Sequence, residues 1–197
     1  VLAGLQQVGV EAFGIDLGVD GQDMLSQLQA QSMDAAFIAI HGRGGEDGCL
    51  QAVLDMLAIP YTGSGILASS LGMNKLMTKR VWQSQGLATP AWHRLTSASN
   101  GRHVVDQLGL PLVIKPVHEG SSLGISLVKT QTELVDAYHV ASTYDRQVIA
   151  EQYIDGEEYT VAILAGQALP AIRLQTDHPF YDLRAKYYSA TTRYRSE

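Results

Sequence analysis

The sequence predicts an α/β protein in which a parallel α/β unit is followed by a mixed α+β unit. Strands and helices alternate over residues 1–63, which is typical of an open parallel sheet. Residues 35–40 form a continuous apolar run of the kind found in strands buried on both faces. After Thr89 and Pro90 the alternation gives way to short strands separated by turns and by one helix.

In the first unit, the predicted elements surround a glycine-rich loop. Strands are expected at residues 10–15 and 35–40, with a helix at residues 21–31 between them. The loop at residues 41–48 follows the second strand, and Asp47 can cap the helix that comes next. The apolar stripe of that helix consists of Leu50, Val53, Leu54 and Leu57. Residues 64–85 are then expected to be mostly helical.

In the second unit, one helix and five strands are predicted. The helix is expected at about residues 132–142. The strands are expected at residues 112–115, 125–128, 148–153, 159–164 and 168–174. The first two of these strands flank a loop of small residues, Gly120, Ser121 and Ser122.

Composition limits the functional classes. The 197 residues, 46% of them hydrophobic, suit one large domain or two small ones with a real core. A net charge of −6 disfavours nonspecific binding to nucleic acid. The single cysteine, Cys49, excludes an internal disulfide and favours a reducing, cytoplasmic compartment. No apolar run approaches the ~20 residues that span a bilayer.

Residues 112–124 carry the strongest functional signal. A short apolar strand ends at Lys115, and a loop rich in backbone N–H and hydroxyl donors follows at Gly120–Ser122. A lysine is a point charge, and glycine lets the backbone approach an anion, so this pattern indicates phosphate binding. The alternative is an ordinary strand end and turn. The spacing matches neither a P-loop nor a Rossmann fingerprint.

The glycine-rich loop after Ile40 is a second candidate site. It follows a predicted parallel strand, and ligands bind at the carboxyl ends of such strands. His41 at its start could orient a substrate carboxylate or move a proton. The alternative is a histidine that only hydrogen-bonds its own loop. No zinc pattern and no hydrolase elbow occurs in the sequence.

Charged residues elsewhere are ambiguous when each is considered alone. Lys75, Lys115 and Lys186 could surround phosphoryl oxygens, but Lys75 and Lys186, considered alone, are better explained as solvated surface charges. Glu151 and Glu158 bracket a strand-turn-strand unit that could hold a nucleotide, with a carboxylate on the ribose hydroxyls. Considered alone, the two glutamates are better explained as a pair of surface carboxylates.

Taken in order, these segments resemble the D-alanine–D-alanine ligases of the ATP-grasp superfamily. The resemblance covers nearly the whole chain. The matching segments are residues 41–48, 60–65, 73–75, 114–116, 119–124, 156–161, 180–182 and 185–187. Each match is modest, and the ordered set is specific.

The resemblance implies a fold with three parts. These are a partial pre-ATP-grasp domain at residues 1–64, a central ATP-grasp subdomain at 65–151, and the start of the C-terminal ATP-grasp subdomain at 152–197. It also implies an ADP-forming ligase of peptidoglycan precursor synthesis, which joins two D-alanines through an acyl phosphate and forms a homodimer in the cytoplasm. The cofactors implied are ATP and Mg²⁺ or Mn²⁺.

The resemblance also assigns site residues. His41, Ser121, Lys186 and Tyr187 would be catalytic, and His41, Ser121 and Tyr187 would hold substrate. Ser121 and Tyr187 would join two mobile loops. The residues expected to bind ATP are Lys75, Lys115, Glu119, Ser121, Ser122, Glu151, Gln152, Tyr153, Ile154, Glu158 and Lys186.

Some family features are absent from the sequence. The chain is expected to be a fragment, with an early glutamate before Val1 and the metal ligands and an arginine beyond Glu197, so no metal ligand is assigned within it. Arg184 stands where the family often has an acidic residue. The isolated chain is therefore expected to lack ligase activity.

Other functions stay open. One is ligation of D-alanine to D-lactate or D-serine, against which Lys186 and Tyr187 argue. Another is a non-catalytic ATP-binding module. A nicotinamide dehydrogenase is disfavoured because the fingerprint glycines are absent.

Overall fold

The computed structural model describes residues 1–18, 23–97, 99–177, 186, 189 and 191–196. The chain divides into two compact units, Val1–Thr78 and Lys79–Glu197. The three-part division at residues 64 and 151 stays a prediction. In the described part of the chain, no helix is both long enough and apolar enough to cross a membrane.

The regular secondary structure described in the first unit is helical. Its helices are α1 (Leu2–Gln7), α2 (Met24–Gln29), α3 (Cys49–Met56), α4 (Ile66–Met73) and the beginning of α5 (Lys75–Ser84). The predicted helical region at 64–85 is therefore interrupted at Asn74, whose backbone is extended. The core contains Leu17, Leu28, Leu50 and Leu54, so the apolar stripe of α3 faces inward as predicted.

The predicted strands at residues 10–15 and 35–40 are not formed as regular strands. A single parallel bridge joins Ala36 to Tyr61. Ala36 donates its N–H to the carbonyl of Pro60 over 2.8 Å, but Ile38 donates to Oγ1 of Thr62 over 3.1 Å. A side-chain hydroxyl thus takes the donor that would continue the ladder. The run 35–40 is parallel to its neighbour, as expected, but its pairing stops after one residue.

The second unit is built on a four-stranded antiparallel sheet. Its strands are β1 (Trp92–Leu95), β2 (Leu112–Pro116), β3 (Ser126–Val128) and β4 (Val148–Gln152), in the order β1-β4-β2-β3. Helices α6 (Gly101–Leu108) and α7 (Glu133–Ser142) pack on this sheet. The core between them consists of Leu95, Val104, Leu108, Leu112, Ile114, Val128, Leu134, Ala137, Ala141, Val148 and Ala150.

Some of these elements were predicted from the sequence and others were not. The strands predicted at 112–115, 125–128 and 148–153 and the helix at 132–142 agree with the structure within one or two residues. Strand β1 and helix α6 were not predicted. Helix α6 begins at a recognisable cap, because the Asn100 side chain accepts from the N–H groups of Arg102 and His103.

The remaining strands form two small sheets. Strands β5 (Glu158–Thr160), β8 (Ile172–Gln175) and β9 (Arg193–Ser196) form an antiparallel sheet in the order β5-β8-β9. Strands β6 (Ile163–Leu164) and β7 (Gln167–Ala168) form a hairpin with a two-residue turn. The predicted strands at 159–164 and 168–174 are therefore each broken into two shorter strands, of which β6 pairs with β7 and β5 pairs with β8.

Replacing Val148 by alanine should lower the free energy of unfolding by about 2 kcal/mol or more, because two buried methyl groups are lost and a cavity remains. Val148 is fully buried, whereas the side chain of Val135 on α7 is 58% exposed. The matched change Val135→Ala should alter stability by no more than about 0.5 kcal/mol. Urea denaturation of both variants checks this, and equal losses would contradict the assigned core.

Candidate functional site

A buried carboxylate with two ammonium partners lies near the end of β4. Glu151 follows three fully buried residues of that strand. Its Oε1 atom lies 3.0 Å from Nζ of Lys79, and its Oε2 atom accepts a hydrogen bond from Nζ of Lys115. We call Lys79, Lys115 and Glu151 the charged cluster. It joins the end of β2, the end of β4 and helix α5.

The register of the sheet explains why Lys115 reaches Glu151. Ile149 lies opposite Lys115, and Glu151 lies opposite Val113. Opposed residues of an antiparallel pair point to the same face, so Lys115 and Glu151 are diagonal neighbours on one face. The other face carries the apolar residues that pack against α6 and α7. One face of the sheet therefore holds the core, and the other holds the charged cluster.

Lys79 completes the cluster from helix α5. Its ammonium also donates to Oγ1 of Thr89 over 2.6 Å, and its side chain is 4% exposed. Lys79 is not among the residues predicted from the sequence, which include Lys75 of the same helix. A signal was present, because Lys79 lies one helical turn after the buried Leu76 and therefore on the inner side of the helix.

The charges of the cluster do not balance. Two ammonium groups share one carboxylate, so the cluster carries an excess positive charge. Lys79 and Glu151 are buried, whereas the side chain of Lys115 is 21% exposed. The excess charge is therefore accessible at Lys115, which suits an anionic group of a ligand.

The loop after β2 has an unusual backbone. Ser121, Ser122 and Gly124 have φ values of 51°, 61° and 68°, in the left-handed region. Left-handed serines are uncommon, and such residues are concentrated in functional loops. The loop is closed by a hydrogen bond from the N–H of Leu123 to the carbonyl of Gly120 over 3.0 Å. Ser121, Ser122 and the preceding Glu119 are half-buried.

Both ends of this loop contact the turn at residues 144–147. Val117 donates to the carbonyl of Gln147 over 3.0 Å. His118 donates its backbone N–H to Oδ2 of Asp145 over 2.8 Å, and its Nδ1 lies 2.7 Å from the same oxygen. At the other end, a Cβ added to Gly124 would lie 2.7 Å from the Tyr144 ring. The turn therefore fixes where the loop leaves and rejoins the sheet.

Asp145 is ionised in this arrangement. Burial alone would raise the pKa of its carboxyl group, but the hydrogen bonds from Gln147 and from the side chain and backbone of His118 outweigh burial. The pKa of Asp145 is therefore lowered from its ordinary value. The anchor of the loop consequently depends on a carboxylate.

The predicted nucleoside-binding residues leave β4 towards β5. Gln152 and Tyr153 use their N–H groups in bonds to the carbonyls of Ala91 and Pro111, and the side chain of Ile154 is 61% exposed. Although Glu158 lies at the surface, partial desolvation raises its pKa, and the charge of Lys186 opposes this effect. Lys186 is thus near enough for its charge to act on the carboxyl group of Glu158.

His41 belongs to the first unit, in a loop with its own hydrogen bonds. Its side chain is 84% exposed, and Nδ1 lies 3.6 Å from Oε1 of Glu46. Asp47 accepts from the N–H groups of Gly44 and Cys49, but the N-cap residue of α3 is Gly48, so the predicted cap is one residue too early. These bonds hold the pKa of Asp47 below its ordinary value although burial acts to raise it. His41 is therefore accessible on an ordered loop.

The remaining predicted residues belong to the first unit or lie outside the described residues. Lys75 is the first residue of α5 and belongs to the first unit. Tyr187 lies outside the described residues, as do residues 180–182 and 185 of the matching segments. Within the described part of the chain, no group of three or more His, Cys, Asp or Glu side chains is arranged to hold a metal ion.

Two family descriptions match the sequence. Residues 16–64 match "D-ala D-ala ligase N-terminus", and residues 81–197 match "D-ala D-ala ligase C-terminus". The D-alanine–D-alanine ligase of Stutzerimonas stutzeri is 53% identical over 195 residues, which are 99% of this chain and 61% of the relative. That of Pseudomonas fluorescens is 52% identical, with 99% and 59% covered. The chain thus spans about three fifths of these relatives.

The chain is also similar to solved structures of D-alanine–D-alanine ligases. A D-alanine–D-alanine ligase from Bacillus anthracis is 36% identical with a TM-score of 0.82, covering 99% of this chain and 64% of that one. The Bacillus anthracis enzyme complexed with ATP is 32% identical with a TM-score of 0.75, covering 90% and 56%.

Replacing Gly124 by alanine should destabilise the protein by about 1–3 kcal/mol, since a left-handed alanine is strained and its Cβ would meet the Tyr144 ring. Gly120→Ala is the matched control, because a Cβ there has no neighbouring atom within 4 Å. Thermal unfolding of both variants tests this difference. A Gly124→Ala protein as stable as Gly120→Ala would show that the loop is not fixed as described.

The lowered pKa of Asp145 predicts a pH dependence. Its carboxylate stabilises the fold fully above the unfolded value of 3.8, and this contribution is lost as the pH falls through the lower folded value. The stability difference between the wild type and Asp145→Asn should therefore shrink from about pH 7 to about pH 3. Urea denaturation across that range measures the difference, and a constant or growing gap would contradict the assignment.

Proposed function

We propose, because the chain belongs to the D-alanine–D-alanine ligase family, that it carries the phosphate-binding and nucleoside-binding parts of an ADP-forming enzyme that joins two D-alanines. The observation that supports this most directly is the charged cluster, whose excess positive charge is accessible at Lys115. In the proposed reaction, ATP phosphorylates the carboxylate of one D-alanine. The amine of the second D-alanine then attacks the acyl phosphate, and phosphate leaves.

The proposed phosphate contacts begin with Lys115. Its ammonium is fixed by Glu151 and partly exposed, so it can hold phosphoryl oxygens without a large reorganisation of the site. The loop residues Glu119, Ser121 and Ser122 would cover the same phosphates, with Lys75 and Lys186 adding positive charge. A donor set of ammonium, hydroxyl and backbone N–H groups fits a polyphosphate.

The anchored loop would also exclude water. An acyl phosphate is lost by hydrolysis if water enters, so a lid that closes over it protects the reaction. The loop at 117–124 has fixed ends and a short, strained centre, which suits a small motion at the centre only. Ser121 would meet Tyr187 when the two loops close.

The nucleoside is proposed to lie where the chain leaves β4. Glu151, Gln152, Tyr153 and Ile154 would line the adenine pocket, and Glu158 would accept hydrogen bonds from ribose hydroxyls. Each carboxylate oxygen has two lone pairs. Glu151 can therefore hold its lysines and still accept a hydrogen bond from a base. The neighbouring charge of Lys186 helps Glu158 to stay ionised as an acceptor.

The amino-acid substrate is proposed to lie near His41. The exposed imidazole beside Glu46 could hold the carboxylate of the first D-alanine. We further propose that Mg²⁺ or Mn²⁺ neutralises the phosphates, that the protein is a homodimer, and that it acts in the cytoplasm in peptidoglycan precursor synthesis. The three-part domain division at residues 64 and 151 belongs to the same proposal.

Changing Lys115 to alanine should reduce turnover by about 100-fold or more, because a charge-assisted contact to the transition state is worth ~2.7–4 kcal/mol. The assay is phosphate release that depends on both ATP and D-alanine, measured on the protein expressed from its complete reading frame. Lys129→Ala, an exposed lysine just after β3, should keep its rate within about twofold.

Two outcomes would count against the proposal. A wild-type protein without ATP- and D-alanine-dependent phosphate release would reject the function. A folded Lys115→Ala protein with unchanged turnover would reject the role of the cluster in holding phosphate.

A further inference from the structure

We infer that Lys79 is a positioning residue that keeps the charge of Lys115 available for nucleotide phosphates. The inference rests on the proposed function, since it concerns the same phosphate-binding site. Lys79 cannot be a phosphate ligand in this structure, because its side chain is 4% exposed and its ammonium is held by Glu151 and Thr89. Its effect on a ligand must pass through Glu151.

The effect of Lys79 follows from the charges of the three side chains. Glu151 is 9% exposed, and a carboxylate that is almost removed from water needs a cation beside it. Lys79 meets that need from the buried side of the cluster, at 3.0 Å from Oε1. Lys115 binds the other oxygen from the accessible side. With Lys79 present, the carboxylate is already neutralised, and Lys115 retains its charge for an anion.

Without Lys79 the balance changes. Glu151 would have Lys115 as its remaining cation within the charged cluster, and the cluster would be neutral overall. An incoming phosphate would then have to compete with Glu151 for the same ammonium. The affinity for phosphate should fall, whereas contacts to the adenine and ribose should change much less. A purely structural lysine would instead affect all ligands alike through the fold.

The test compares ADP with adenosine, since the two differ only in phosphate. The readout is the ratio of the dissociation constants of adenosine and ADP, measured by calorimetry on the protein expressed from its complete reading frame, with Mg²⁺ present. Lys79→Met should lower this ratio by about tenfold or more. The magnitude is taken by analogy from metal sites, where mutating a residue that hydrogen-bonds a metal ligand weakens metal binding by a similar factor. The second variant, Lys79→Gln, keeps hydrogen-bond donors to Glu151 and Thr89 but removes the charge, and it should lower the ratio similarly.

A rescue variant separates charge from packing. In the double variant Lys79→Met with Glu151→Gln, both buried charges are removed together, so Lys115 regains its full charge. The ratio should return towards the wild-type value, and because it is a ratio, any direct contact of residue 151 with the base cancels. The double variant also contains no unpaired buried carboxylate, so it tests the inference if Lys79→Met fails to fold.

The outcomes are distinct. An unchanged ratio in folded Lys79→Met or Lys79→Gln would overturn the inference. The inference would also be overturned if the ratio of the double variant fell as far below the wild-type ratio as the ratio of Lys79→Gln does. A wild-type protein that binds neither ADP nor ATP would instead overturn the proposed function. Thr89→Val removes one hydrogen bond of Lys79 without changing any charge, and it should leave the ratio within about twofold.

Discussion

The buried carboxyl group of Glu151, near the end of β4, is the constraint on which the second unit depends. A carboxylate nearly removed from water is tolerated only with cations and hydrogen-bond donors close to it. Three elements distant in sequence must therefore meet at one point, with Lys79 from α5, Lys115 from β2 and Glu151 itself. The order β1-β4-β2-β3 satisfies this, because β4 lies beside β2 in the register that makes Lys115 and Glu151 diagonal neighbours.

The same register places the core residues and the charged residues on opposite faces of the sheet. Alternate residues of β2 and β4 point to opposite faces, so Ile114 and Val148 can fill the core while Lys115 and Glu151 lie on the other side. A shift of one residue would exchange the faces and bury Lys115 among apolar side chains. The core thus fixes the position of the lysine, and the lysine in turn makes a one-residue shift of the register costly.

The sequence predicted what depends on local pattern. Lys115 at a strand end, the Gly-Ser loop and helix α7 are visible as short runs, and the structure contains each of them. Lys79 was missed because its partner Glu151 is far away in the sequence, and the sequence alone does not distinguish a buried lysine from a solvated one. Strand β1 was missed for a similar reason, because its pairing with β4 is not local. The run at 35–40 was overestimated as a strand, because a hydroxyl of Thr62 ends the ladder.

The loop at 117–124 depends on the cluster as well. Its left-handed serines store strain that the surrounding structure must offset. The compensation comes from its ends, where Asp145 accepts two bonds from His118 and Val117 donates to Gln147. The turn carrying Asp145 leads directly into β4 and the loop leads out of β2, so both are held by the two strands that Lys115 and Glu151 join. A change that separated the strands would therefore disturb the charge at Lys115 and the shape of the loop together.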